Sequence, residues 1–109
     1  MTHERKSDFE QRLYEMQAAM CKTTSNPVRL SILRLIGDQE LSVSVIAVRL
    51  GQPIPTVSKH LNMMKSHGVV RSRREGNVVF YSVTDRRILK AISLLSDVLM
   101  DRLQVPLLA

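Results

Sequence analysis

The stretch that most constrains this chain runs from Pro53 to Gly68, Pro-Ile-Pro-Thr-Val-Ser-Lys-His-Leu-Asn-Met-Met-Lys-Ser-His-Gly. Val57, Leu61 and Met64, with Ile54 at the edge, recur at the spacing of a helix with one buried stripe. The other side is polar and carries Thr56, Ser58, Lys59, Asn62 and Ser66, with His60 near the boundary. Gly68 suits the end of this helix because it adopts positive φ without a side-chain clash. A helix with a dry back and a front of hydroxyls, an amide and a cation is shaped to enter a DNA major groove. Any solvated surface helix also has a polar front, so what surrounds the stretch decides its meaning.

Ser7 and Glu10 read as a capping box, which places the start of a first helix at Ser7. Along it Phe9, Leu13, Met16 and Met20 form a narrow apolar seam, suited to a partner helix or to the chain's own core. Thr23, Thr24 and Ser25 read as a short loop. Asn26-Pro27 is a start signal, an Asn cap followed by a residue whose missing N–H costs nothing there. The second helix runs through Ile32, Leu33 and Ile36 to Gly37, mostly buried, with Arg29 and Arg34 left to solvent. Ser42 is the expected cap of a third helix ending at Gly51, with Leu41 stapled onto Ile46. Its β-branched residues make a strand the competing reading.

The third helix, a turn containing Gly51 and the Pro53 helix make a helix-turn-helix. After it, Val69–Arg74 and Val78–Val83 flank Glu75-Gly76-Asn77, the pattern of a hairpin, with Arg71, Arg73 and Arg74 on its first arm. Such an arm is a cationic wing beside the helix. Thr84-Asp85 opens a last helix, expected to reach about Gln104 before Pro106. Its apolar positions, including Ile92, Leu95, Leu99 and Leu103, are too many for one face of a monomer. The predicted fold is mainly α with a small β-hairpin, ordered α-α-α-α-β-β-α. Residues 1–7, His3 among them, and 105–109 read as tails, and 8–104 as one winged-helix domain.

Composition agrees with a polyanionic partner. Of 109 residues, 16 are Lys or Arg and 10 are Asp or Glu, a net charge of +6, which favours nucleic acid. From Lys59 to Arg74 there are two Lys, three Arg and no acid. No apolar run approaches the ~20 residues that span a bilayer, and the N-terminus lacks the apolar centre of a signal peptide, so a cytoplasmic protein without membrane contact is expected. Catalysis is disfavoured: there is no Cys/His or Ser/His/Asp arrangement, Gly-rich phosphate loop or paired carboxylates.

In this order of elements the sequence resembles the ArsR/SmtB family of winged-helix repressors. The resemblance covers roughly residues 10–104. It rests on Ser25-Asn-Pro-Val-Arg-Leu-Ser-Ile-Leu, Glu40-Leu-Ser-Val-Ser, Pro55-Thr-Val-Ser-Lys-His-Leu, His67-Gly-Val-Val-Arg-Ser-Arg-Arg-Glu-Gly and Val79-Phe-Tyr-Ser-Val. It implies a homodimer held by first and last helices, bound to an inverted-repeat operator in double-stranded DNA. Thr56, Ser58, Lys59 and His60 match the groove-facing residues, joined by Asn62, and Arg73, Arg74 and Asn77 match the wing. The dimer contact falls on Phe9, Leu13, Met16, Met20, Ile92, Leu95, Leu99 and Leu103.

Two departures accompany the match. Pro53-Ile54 stands where similar proteins have a Ser cap and a Gln. Many members bind metal through two Cys, where this chain has Ser42 and Ser44. Others use a last-helix ligand set, whose counterparts here are Asp85, Arg87, Val98 and Asp101. Hydroxyls do not replace soft thiolates, so no metal or other cofactor is expected. Cys21, the one cysteine, reads as a small buried apolar residue or as a redox thiol able to bridge two chains. His67 reads as a cap for helix carbonyls. No inducer is legible. The competing function is a winged-helix protein–protein module that binds no DNA.

Overall fold

In the computed structural model, which describes residues 2–103, the elements are α1 (Thr2–Thr24), α2 (Pro27–Ile36), β1 (Leu41–Ser42), α3 (Val43–Leu50), α4 (Ile54–Ser66), β2 (Val70–Glu75), β3 (Val78–Val83) and α5 (Arg86–Leu103). Met1 and residues 104–109, which include the tail read at 105–109, lie outside the described residues.

Local caps explain most boundaries. The Asn26 side chain accepts from the Val28 and Arg29 amides at 2.9 and 3.1 Å, and Pro27 follows as the first helical residue. Ser42 caps α3 through the Val45 amide, and Gly51 ends that helix at φ +63°. At the end of α4, Gly68 donates to Lys65 O at 3.0 Å and Val69 to Met64 O at 2.9 Å, with Gly68 at φ +74°. That pair of bonds needs a left-handed residue, which is why glycine stands there. Asp85 caps α5 by accepting the Arg87 amide at 2.9 Å. Its carboxyl is pulled down to about 2, first by the Arg87 guanidinium and then by that amide. Beside it the Thr84 hydroxyl donates to Gly68 O at 2.7 Å and lies 3.1 Å from Val69 O, tying the end of α4 to the start of α5.

Three boundaries differ from those the sequence suggests. The first helix begins at Thr2 rather than Ser7, so the capping box is interior to a helix and residues 2–7 are helical rather than a tail. It also continues through Thr23 and Thr24, where the Thr23 hydroxyl folds back onto Ala19 O at 2.9 Å. The competing strand reading is correct for two residues, Leu41 and Ser42. They pair antiparallel with Tyr81 and Phe80 and make a three-stranded sheet in the order β1-β3-β2.

The core is aliphatic. Ile32, Leu33 and Ile36 of α2 meet Ile46 of α3, Val57, Leu61 and Met64 of α4, and Val69, Val70 and Tyr81 at the sheet. α1 stands outside it, with every described side chain before Thr23 exposed, and α5 has no buried residue and touches the core only through Ile88, Leu89 and Ile92. The shape records this. The radius of gyration is 16.5 Å, against about 13 Å for a compact chain of this length. The accessible surface is 8330 Å², against about 6100 Å² for a compact 12.4 kDa monomer.

Because Asn26 satisfies two orphan amides, Asn26→Ala is expected to lower unfolding stability by about 1 kcal/mol, and Asn26→Ser by far less. Urea denaturation at fixed protein concentration checks this.

Candidate nucleic-acid interface

Burial of Val57, Leu61 and Met64 fixes how α4 is turned about its axis. Lys59, Asn62 and Ser66 are thereby exposed on its front, while Thr56, Ser58 and His60 sit half-buried on the shoulders. The helix starts from Pro53 without a side-chain cap, and Pro55 in the first turn supplies the pre-set φ instead. Ile54, half exposed, lies outside the core. α3, the three residues Gly51-Gln52-Pro53 and α4 form the helix-turn-helix.

The wing is the β2–β3 hairpin, closed over Gly76 at φ +61° and Asn77, a conformation that matches the twist of the strands. Strand alternation divides its arginines. Arg71, Arg73 and Glu75 share the outer face with Ser82, Phe80 and Val78 across the ladder. Arg74 shares the other face with Val79 and Tyr81, the face toward α4. Arg74 is exposed and makes no ion pair among the described residues, whereas Arg73 is engaged.

Arg73 Nε lies 3.1 Å from both Glu40 carboxylate oxygens, and its terminal nitrogens reach Glu40 at 2.7 Å and Glu75 at 2.8 Å. The guanidinium also sits 4.8 Å over the Phe80 ring. The hydrogen bond from Arg73 holds the Glu40 carboxyl below its ordinary value. Sequence reading placed Arg73 among the DNA-contacting residues of the wing. The fold makes it the fastener between the wing and the loop after α2, because a carboxylate 33 residues away is brought under it.

The shoulders of α4 face different neighbours. On the sheet side, the Tyr81 hydroxyl donates to Asn62 Oδ1 at 3.3 Å, which leaves the Asn62 NH₂ to point outward as a donor. On the α2 side, an Arg29 terminal nitrogen lies 2.8 Å from Met63 Sδ. Arg29 is half-buried there rather than left to solvent. The His60 pKa is lowered, by lost solvation first and by Arg29 and Lys59 after it. His67 Nδ1 lies 3.0 Å from Met63 O, the carbonyl-capping position expected for it.

The outer helices carry the apolar residues read as a dimer contact. Phe9, Leu13, Met16 and Met20 on α1 and Leu95, Leu99 and Leu103 on α5 are exposed, and Ile92 packs partly on the core. Between α1 and α5 runs a groove of about 930 Å³, and Cys21, exposed rather than buried, lies on its wall with Met20, Ile88, Ile92, Leu95 and Leu99.

Residues 24–73 match the family model described as a helix-turn-helix domain. An HTH-type transcriptional regulator of Methanocaldococcus jannaschii is 38% identical over 85 residues, 77% of this chain and 96% of that one. The chain belongs to the ArsR/SmtB family of winged helix-turn-helix transcriptional regulators. The biofilm growth-associated repressor of Xylella fastidiosa is 31% identical over 93 residues, 85% of this chain and 81% of that protein. A winged helix-turn-helix DNA-binding domain of Mycobacterium bovis, described as homodimeric and as a possible ArsR-family regulator, superposes with a TM-score of 0.80 at 31% identity. That superposition covers 89% of this chain and 90% of that domain.

Against the ArsR-type metal sites the donors present do not fit. The Ser42 hydroxyl is committed to the Val45 amide, and the Asp85 carboxylate holds Arg87 at 2.7 Å. Among the described residues no three His, Cys, Asp or Glu gather as a metal site, and no helix is long and apolar enough to cross a membrane.

The Glu40–Arg73 fastener predicts a pH window. A carboxyl lowered on folding stabilises above its unfolded pKa and loses that contribution as pH falls through the folded one. The wing is therefore expected to stay fastened from pH 8 to about 5 and to loosen below about 4. Glu40→Gln should loosen it at neutral pH. Hydrogen exchange of hairpin amides 71–82 reports both; slow exchange unchanged in the variant rejects the fastener.

Proposed function

We propose that this ArsR-type chain is a transcriptional repressor that binds a double-stranded, inverted-repeat operator as a homodimer. The observation that carries the reading is the front of α4, which has no acidic residue and is flanked by Arg74 on the wing. Lys59 is assigned to a guanine edge or a phosphate, and Thr56, Ser58 and the Asn62 NH₂ to base edges. Arg74 and Asn77 are assigned to the backbone, with Arg73 placing the wing that carries them.

The surface excess of about 2200 Å² over a compact monomer matches what one partner gives up in a large obligate interface. Most of the uncovered large apolar residues lie on α1 and α5. A second copy covering them accounts for the excess, and the homodimeric M. bovis domain of the same fold supports it. Two α4 helices held about one turn of DNA apart, ~34 Å, then meet successive major grooves. The Ser42 and Asp85 environments favour a regulator whose signal is not a metal ion.

Lys59→Ala is expected to weaken binding to a selected duplex and to relax sequence preference. Arg74→Ala should lower affinity about equally for all sequences and reduce the salt slope by about one, with Arg73→Ala doing less. Fluorescence anisotropy against NaCl checks this, and equal binding by all three variants overturns the assignment. The double variant Leu95→Glu/Leu99→Glu should run as a monomer in light scattering and lose operator binding by at least about a hundredfold, since dimer and DNA binding are linked. A monomeric wild type refutes the dimer.

A further inference from the structure

Arg29 is placed against every local electrostatic preference. It occupies the first turn of α2, the positive end of that helix, where no acidic residue accompanies it. Its Nε is sealed from solvent without a hydrogen-bond acceptor. One terminal nitrogen has only the Met63 thioether, a weak acceptor, at 2.8 Å. Its titratable neighbour on α4 is His60, whose protonation it opposes, and no ion pair relieves Arg29 among the described residues. A half-buried guanidinium in that setting lacks its anion.

The position of this cluster says which anion. α4 has two shoulders: one faces the sheet, where Tyr81 meets Asn62 and Arg74 lies on the same sheet face. The other faces α2, where Arg29 lies beside His60 and Met63. A helix lying in a major groove about 12 Å wide runs between two phosphate backbones, and the wing serves one of them. We propose that Arg29 and His60 form a phosphate seat for the other DNA strand, a backbone contact at the α2–α4 junction opposite the wing. This rests on the DNA-binding reading above.

Seating a phosphate gives Arg29 a charged acceptor and favours protonation of His60, whose charged neighbours are Arg29 from α2 and Lys59 on its own helix. Binding then takes up a proton, so affinity rises as pH falls from 7.5 to 6. The seat positions the helix and carries no base information.

The test uses the full-length chain and a labelled duplex that it selects from random DNA. Arg29→Met is expected to lower affinity about tenfold at 0.15 M NaCl and the salt slope by about one. Preference for the selected over a random duplex should hold within about twofold, and Arg29→Lys should restore the slope. Replacing backbone phosphates one at a time by neutral methylphosphonates should find one that weakens the wild type and leaves Arg29→Met unaffected. An unchanged slope in a folded Arg29→Met overturns the proposal, as it would if a carboxylate of a second copy satisfied Arg29. If Arg29→Met does not fold, the His60 ring titration followed by NMR decides: a DNA-induced rise in its pKa supports the seat, and no rise overturns it. A wild type with no salt-dependent binding to any duplex refutes the DNA reading itself.

Discussion

The three side chains beneath α4 govern the rest of the molecule. Val57, Leu61 and Met64 are fully buried, and cutting Leu61 or Met64 to Ala costs about 2–5 kcal/mol in a typical core. Their insertion between α2, α3 and the sheet sets the rotation of α4, and that rotation decides which polar residues reach out. The chemistry of the front is thus specified from behind. Lys59 and Asn62 are exposed because positions 57, 61 and 64 are not.

Around that helix the positive charge is arranged unequally. Three arginines within four positions of β2 read as one cluster, yet the pleat sends two to one face and one to the other, and Glu40 and Glu75 neutralise Arg73. Among the described residues, Arg74 on one side of α4 and Arg29 on the other make no ion pair. A basic net charge therefore says less about partners than the pairing of each cation does. The hairpin also needs a rigid base to present Asn77 and Arg74, and Arg73 stacked on Phe80 and gripped by Glu40 provides one.

Much of this was legible because helix boundaries are written locally. Asn26-Pro27, Ser42, Gly51, Gly68 and Asp85 each act on backbone groups within a few residues, and each stands where its chemistry suggests. What escaped depends on distant partners. β1 is two residues long and exists only because Tyr81 and Phe80 lie opposite. The Arg73–Glu40 pair spans 33 residues. Arg29 looked like a solvated cation, although its place in the first turn of α2 was a visible conflict with the helix dipole. Ser7 matched the capping-box pattern, but favourable helix formers before it let α1 begin earlier.

The Thr84 hydroxyl grips Gly68 O, with Val69 O beside it, and Asp85 begins α5 on the next residue. The joint between α4 and α5 is thus a pin rather than a hinge. A swing of α5 would reach α4 through this tie. At an arm of about 17 Å, half the span between adjacent grooves, ten degrees displaces the helix by about 3 Å. That is a full hydrogen-bond length.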